Sequence, residues 1–214
     1  IAEVAKEQGL KVGVITSVSL DHATPACFYA KAPSRGDMYD IAVQLARSNF
    51  DFFGGGGFVQ PTGKNKDQQD VIEMAKANGF VFVNSKAQFD ALRPGAGKVL
   101  AVNAALYDSQ ALKYDMDRAD DDLSLTDYTR KAIELLDGPQ GFFMMVEGGK
   151  IDWACHANDA AAAIHDTLAF DSAVAQAVEF YRKHPADTLV VATGDHETGG
   201  MSIGFAGTKY EAFF

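Results

Sequence analysis

The chain has 214 residues, with 19 Lys or Arg against 29 Asp or Glu, so its formal net charge is −10. Apolar residues make up 47% of the chain, which is enough to build a core and excludes an intrinsically disordered protein. The negative charge argues against non-specific nucleic-acid binding, which depends on Lys and Arg. No apolar run approaches about 18 residues, so we expect no membrane-spanning helix. Two cysteines do not make a disulfide scaffold.

Strand-like and helix-like segments alternate along the chain. Apolar and β-branched runs predict strands at residues 11–18, 51–53, 80–83, 98–102, 142–146 and 188–193. Helical spacing predicts helices at residues 1–9, 37–47, 67–78, 86–92, 124–137 and 157–184. The acidic segment 103–123 is expected to be a solvated loop. Apolar strands separated by helices are typical of a mostly parallel sheet, so we predict a three-layer α/β/α sandwich.

Polar clusters follow three of the predicted strands, at residues 21–25, 147–156 and 194–200. Ligands of such sheets bind beyond the carboxyl ends of the strands. Carboxylates with imidazoles suit Zn²⁺, whereas carboxylates with hydroxyls suit Mg²⁺. Asp152 and His156 are one helical turn apart, so both can face the same side of a helix. A single Asp or His at a strand end is more often a cap or a surface residue, but three such clusters favour a metal site.

The same segments resemble the alkaline phosphatase family. The motifs are HATPA at 22–26, VEGGKIDWACHAND at 146–159 and TGDHETGG at 193–200, and DFFGGGG at 51–57 is similar to a Gly-rich strand end of that family. The resemblance implies an alkaline-phosphatase-like fold. It also implies hydrolysis of small-molecule phosphate monoesters through a phosphoserine intermediate, with two zinc ions and one magnesium ion. A periplasmic or secreted location is a further implication, and a homodimer is a candidate assembly.

The resemblance also implies roles for individual residues. The metal ligands would form three pairs, which are Asp152 with His156 at the first zinc, Asp195 with His196 at the second, and Thr24 with Glu147 at magnesium. Arg35 would grip the substrate phosphate, because a guanidinium pairs bidentately with phosphate oxygens. His22 stands where some members have Asp, close to the magnesium site. Trp153 stands where others have His or Lys, so we expect weaker or different contacts between Trp153 and phosphate.

Three residues of the family pattern have no match in this sequence: the nucleophilic serine, a shared metal-ligand aspartate and a third histidine of the first zinc. We therefore interpret residues 1–214 as a single alkaline-phosphatase-like domain that is a central fragment of a longer protein and is inactive alone. The triplet Asp171-Ser172-Ala173 resembles the nucleophile motif but falls inside a predicted helix. A phosphodiesterase or sulfatase of the same superfamily stays an alternative, although no Cys/Ser-x-Pro-x-Arg sulfatase motif occurs. A non-catalytic metal-binding domain is another.

Overall fold

The computed structural model of the protein describes residues 1–201. Five strands are found there, namely β1 (Lys11–Thr16), β2 (Phe52–Gly55), β3 (Phe80–Val83), β4 (Lys98–Val102) and β5 (Phe142–Glu147). The α-helices are α1 (Ala2–Glu7), α2 (Ala23–Ala26), α3 (Met38–Arg47), α4 (Val71–Ala77), α5 (Lys86–Ala91), α6 (Leu125–Leu136), α7 (Lys150–His156) and α8 (Ala160–Lys183). Strands and helices alternate through most of the chain, which confirms the predicted α/β class.

The strands form one parallel sheet in the order β3-β4-β2-β1-β5. Because all five strands run in the same direction, their carboxyl ends lie along one edge of the sheet. At this carboxyl edge Thr16 is in register with Gly55 on one side and with Glu147 on the other. The loops that follow β1 and β5 therefore begin next to each other.

Helices cover both faces of the sheet, as the sandwich prediction requires. On one face, Val12 and Val14 of β1 pack in a buried cluster with apolar residues of α1, α3 and α4. On the other face, Ile15 and Phe52 pack with residues of α5, α6 and α8. Alternate residues of β1 thus point to opposite faces, and burial of both faces explains why the strands are continuously apolar.

The glycine run at residues 54–57 allows the backbone segments at the carboxyl edge to approach closely. Gly55 ends β2 with a φ of +135°, a region that side chains avoid, and a Cβ there would clash with the carbonyl oxygen of Thr16. The Gly55 carbonyl accepts a 3.1 Å hydrogen bond from the backbone N–H of Asn103. The run therefore lets the loops after β1 and β4 meet at the end of β2.

The strand predicted at residues 188–193 is wrong. Within the described part of the chain these residues pair with no strand, and Leu189 and Val191 are 86% and 74% exposed. A groove of about 940 Å³ separates them from β5, the edge strand of the sheet. The β-branched run has the composition of a strand, but a strand also needs a hydrogen-bonded neighbour, and the groove keeps β5 out of reach.

Two further predictions need correction. The helix expected from residue 157 begins only at Ala160, because Asn158 has a positive φ of 55° and the Asp159 side chain caps the new helix by accepting from the Ala162 N–H. The acidic segment 103–123 is more than a solvated loop, since it contains short 3₁₀ turns and buries Leu112. Its Asp122 carboxylate is also buried and pairs with the Lys113 ammonium at 2.8 Å.

Across residues 1–201, none of the helices combines the length and the apolar character needed to cross a membrane.

Candidate active site

Glu147, the last residue of β5, lies at the carboxyl edge beside the end of β1. Its Oε2 accepts a 2.5 Å hydrogen bond from the Thr16 hydroxyl, and the Thr24 hydroxyl lies near its carboxylate. Burial raises the pKa of Glu147, the two hydroxyls partly oppose this, and the charges of Asp195 and Asp152 raise it further. Three carboxylates thus share one electrostatic environment, in which a bound cation would favour the charged forms.

The next loop and helix α7 place Asp152 beside His156. His156 Nε2 lies 3.5 Å from Asp152 Oδ1, as expected for residues one turn apart on a helix. The start of α7 is attached to the end of β1, because the backbone N–H of Lys150 donates a 3.1 Å hydrogen bond to the Ser17 hydroxyl. The pair is therefore held at a defined position next to the carboxyl edge.

The third cluster packs against α7 although the strand expected before it is missing. His196 Nε2 lies 3.4 Å from Asp195 Oδ2. The Thr198 hydroxyl donates a 2.7 Å hydrogen bond to Asp152 Oδ1 and lies 3.0 Å from His196 Nδ1. Gly199 has a φ of +77°, and a Cβ there would clash with the carbonyl oxygen of Cys155. The close approach of this loop to α7 therefore requires glycine.

His22, Arg35 and Trp153 form a second group of side chains beside these carboxylates. Arg35 Nη2 lies 3.2 Å from His22 Nε2. Because a guanidinium can only donate, Nε2 must accept, which places the imidazole proton on Nδ1. Burial lowers the pKa of His22, the Arg35 charge lowers it further, and Asp152 opposes both. We therefore expect a neutral imidazole at pH 7.

The rings of His22 and Trp153 are also in contact. Their centroids are 6.0 Å apart, with the planes inclined at 67°, which is an edge-to-face arrangement. Arg35 itself is exposed, so its guanidinium is free to reach a ligand. The Nδ1 atom of His22 is buried and has no hydrogen-bond partner within residues 1–201. Nε2 of His22 is therefore directed at the Arg35 guanidinium.

The predicted ligands are assembled as pairs rather than as complete sites. Asp152 with His156 and Asp195 with His196 are each in contact, and Thr24 lies near Glu147. Over the described ranges, however, no three His, Cys, Asp or Glu side chains converge on a point that could hold a metal ion. The chemistry of the donors fits zinc and magnesium. Closed sites would need further ligands or movement of the side chains.

Sequence reasoning missed Thr16, Thr198 and Lys150, which contact the predicted site residues. The sequence shows Thr16 only as the end of a predicted strand. Its contact with Glu147 depends on the register of β1 with β5. Thr198 and Lys150 lie inside the quoted motifs, but hydroxyl and ammonium groups next to stronger ligands gave no separate signal.

Comparison with known proteins decides the family. A family model described as alkaline phosphatase matches residues 1–213. The chain belongs to the alkaline phosphatase family. It is 37% identical to alkaline phosphatase 3 and 34% identical to alkaline phosphatase 4 of Bacillus subtilis (strain 168). These alignments cover 97% and 98% of this chain but only 44% and 45% of the relatives. The chain thus spans less than half the length of these curated relatives.

Solved structures of alkaline phosphatases have the same fold. The enzyme from the Antarctic bacterium TAB5 superposes with a TM-score of 0.75 at 33% identity, over 86% of this chain and 52% of that protein. The cold-active enzyme from the psychrophile Shewanella sp. gives a TM-score of 0.73 at 30% identity, over 86% and 43%. These similarities confirm that the parallel sheet and its helices form an alkaline-phosphatase-like fold.

Proposed function

We propose that the chain carries metal-binding and phosphate-binding parts of an enzyme that hydrolyses small-molecule phosphate monoesters. Membership of the alkaline phosphatase family supports the reaction class. The observation that carries the proposal is the position of the Thr198 hydroxyl between Asp152 of one predicted pair and His196 of the other. Two pairs of metal-ligand type, 40 residues apart in sequence, are thereby brought to one place beside Glu147.

The proposed metal ligands follow from the donor types. Carboxylate with imidazole suits zinc, so one zinc ion would be held by Asp152 and His156 and another by Asp195 and His196. Magnesium prefers oxygen, which Glu147 and Thr24 offer. When bound, these ions supply positive charge that stabilises the attacking and leaving oxygens during transfer of a phosphoryl group.

Arg35 is proposed to bind the substrate phosphate. Its guanidinium is exposed and rests against a neutral His22, so its donors are not neutralised by an adjacent carboxylate within residues 1–201. His22 would orient the guanidinium by accepting one of its hydrogens. Trp153 would form an apolar wall beside His22, because an indole cannot supply the charged hydrogen bond that a lysine or protonated histidine would provide.

The nucleophile is proposed to belong to a part of the whole protein outside these 214 residues. Ser172, which has Asp171 and Ala173 as neighbours, lies on the exposed surface of α8. Its hydroxyl donates a 2.9 Å hydrogen bond to the carbonyl of Leu168, one turn earlier in the same helix. Ser172 is therefore a helix-surface residue and is not directed at the predicted phosphate site.

The test is to measure zinc content and hydrolysis of an aryl phosphate in the full-length protein. Asp152→Ala and His156→Ala should each lower the bound zinc by close to one equivalent and abolish most of the turnover, because losing one first-shell ligand leaves a weak site. Matched controls are Asp171→Ala and His165→Ala, which remove the same groups from the exposed surface of α8. These controls should retain both zinc and activity.

Two results would contradict the proposal in different ways. If both α7 variants keep the zinc content of the wild type, Asp152 and His156 are not ligands. If the full-length protein binds zinc through these residues but hydrolyses no phosphate ester, the non-catalytic metal-binding domain is the better interpretation.

A further inference from the structure

Lys150, the first residue of α7, has an ammonium group surrounded by aromatic rings. The residue is 1% exposed. Its Nζ lies 3.5 Å from the ring centroid of Tyr114, 4.9 Å from that of Trp153 and 5.3 Å from that of Tyr107. All three distances are within the range at which a cation is attracted to an aromatic face. We call these three rings the aromatic cage.

A buried lysine is usually neutralised by a carboxylate. Within residues 1–201, however, Lys150 has no carboxylate oxygen within 4.0 Å of its Nζ. Burial lowers the pKa of Lys150, and the more distant charges of Asp166, Asp108 and Asp117 oppose that effect. The rings of the aromatic cage are therefore the direct partners of the ammonium.

The aromatic cage joins two separate parts of the chain. Tyr107 and Tyr114 belong to the acidic segment 103–123, whereas Trp153 is on α7. Both parts are also attached to Ser17, whose carbonyl accepts from the Leu112 N–H and whose hydroxyl accepts from the Lys150 N–H. The ammonium thus lies where the acidic segment meets the helix that carries the predicted first zinc pair.

Trp153 contacts His22 as well as Lys150. Its ring meets the ring of His22, and His22 Nε2 in turn accepts from Arg35. A continuous series of contacts therefore runs from the Lys150 ammonium through Trp153 and His22 to the Arg35 guanidinium. If the indole changed its orientation, His22 would lose its edge-to-face contact with Trp153.

We propose that Lys150 is a positioning residue whose ammonium, held in the aromatic cage, fixes the indole of Trp153 against His22 and so shapes the place where Arg35 receives phosphate. Only the last step rests on the proposed function, because the hold on Trp153 can be measured without turnover. An unbranched apolar side chain of similar length would occupy most of the space but lose the attraction to the ring faces, and the indole would become more mobile.

Trp153 is the single tryptophan of the 214-residue chain, so its fluorescence reports on the aromatic cage directly. Lys150→Met should shift the emission maximum to longer wavelength and raise the acrylamide quenching constant about twofold, because the indole is no longer held by the cation. Lys150→Arg keeps a cation that stacks on aromatic faces and should restore the wild-type emission and quenching.

Lys113→Met is the matched control. It removes a half-buried lysine of the acidic segment, whose ammonium pairs with Asp122 and lies over none of the three rings among the described residues. Its Trp153 fluorescence should equal that of the wild type. Unchanged quenching in Lys150→Met, or an equal change in Lys113→Met, overturns the proposal. If Lys150→Met does not fold, Lys150→Gln removes the charge from the same position, and an unchanged quenching constant in that variant also overturns the proposal.

The effect on phosphate binding is measured in the full-length enzyme. Lys150→Met should raise the KM for an aryl phosphate by about threefold to tenfold with kcat and zinc content nearly unchanged, since the residue acts on binding and not on the reacting atoms. Lys150→Arg should restore the KM. A change in fluorescence without a change in KM would mean that Lys150 fixes Trp153 but does not influence phosphate binding. The proposed function fails separately, if the wild-type full-length protein hydrolyses no phosphate ester.

Discussion

Thr198 donates a 2.7 Å hydrogen bond to Asp152, which is 46 residues earlier in the chain, and lies 3.0 Å from Nδ1 of His196. The hydroxyl thereby links the two predicted zinc pairs without being a predicted ligand itself. Loss of a group that orients a metal ligand by hydrogen bonding typically lowers metal affinity about 10-fold to 100-fold. The Thr198 hydroxyl is therefore a place where one substitution should affect both zinc sites together.

Thr198→Val should weaken zinc binding at both sites of the full-length protein by about tenfold or more, because it removes the hydroxyl and retains the shape of the side chain. The measurement is competition for zinc against a chromophoric chelator. Thr198→Ser keeps the hydroxyl and should bind zinc as the wild type does. Equal zinc affinity in the valine and serine variants would show that the hydrogen bonds at Thr198 have no role in holding the metals.

Arg35→Ala should weaken inhibition by inorganic phosphate while leaving the zinc content unchanged. The guanidinium is assigned to the phosphate and not to a metal, and loss of a charge-assisted hydrogen bond costs about 1.5–3 kcal/mol. The inhibition constant for phosphate should therefore rise at least about tenfold. Arg47→Ala, an exposed arginine at the end of α3, is the control. An unchanged inhibition constant in Arg35→Ala excludes Arg35 from the phosphate site.

Much of the fold could be predicted from the sequence because local patterns and tertiary packing agree. The runs 11–18, 80–83, 98–102 and 142–146 are apolar on both faces, and all four became strands of the parallel sheet. The run 188–193 has the same composition but failed, because a strand also requires a neighbour that no local pattern reveals. The helix prediction from residue 157 missed the positive φ of Asn158, which ends one helix before the next begins.

The candidate site was predictable as pairs but not as a connected arrangement. Asp152 with His156 and Asp195 with His196 are close in sequence, so spacing alone indicates that they meet. The contacts of Thr16 with Glu147 and of Thr198 with Asp152 join residues 131 and 46 positions apart. Such contacts depend on strand register and on the close packing of Gly199, which only the folded chain reveals.

The free-energy cost of keeping Asp166 charged predicts a pH-dependent stability. Burial is the main cause that raises the pKa of this α8 residue from 3.8 to about 6, although a hydrogen bond from the Asp115 N–H and the Lys150 charge oppose it. Between about pH 4 and 6 the folded state then binds more protons than the unfolded state. The contribution of Asp166 to the free energy of unfolding is therefore most favourable below about pH 4 and declines as the pH rises to 6.

Asp166→Asn should remove this decline. Relative to the variant, the wild type should lose up to about 3 kcal/mol of unfolding free energy between pH 4 and 7, at 1.36 kcal/mol for each pKa unit. Urea unfolding at several pH values measures the difference. Asp171→Asn, an exposed residue of the same helix, should follow the wild-type profile. Parallel profiles for the wild type and Asp166→Asn would mean that Asp166 does not titrate in this range.

The groove between β5 and residues 188–193 predicts self-association of the 214-residue chain. Leu189 and Val191 are largely exposed beside an edge strand, and such edges favour pairing with another chain. Leu189→Lys with Val191→Lys should shift the chain toward the monomer in size-exclusion chromatography with light scattering. Leu168→Lys removes another exposed apolar side chain, on α8, and should leave the association unchanged. The opposite pattern would place the contact on α8.

The 214-residue chain should hydrolyse no aryl phosphate on its own, even with zinc and magnesium added. Its predicted zinc ligands occur as pairs, and binding energy depends strongly on the number of ligands, so we expect weak metal binding. Ser172 lies on the surface of α8 with its hydroxyl bonded to Leu168. Ser172→Ala is therefore the decisive control. Metal-dependent turnover that Ser172→Ala abolishes would make Ser172 the nucleophile and would overturn the matching of this chain to the family motifs.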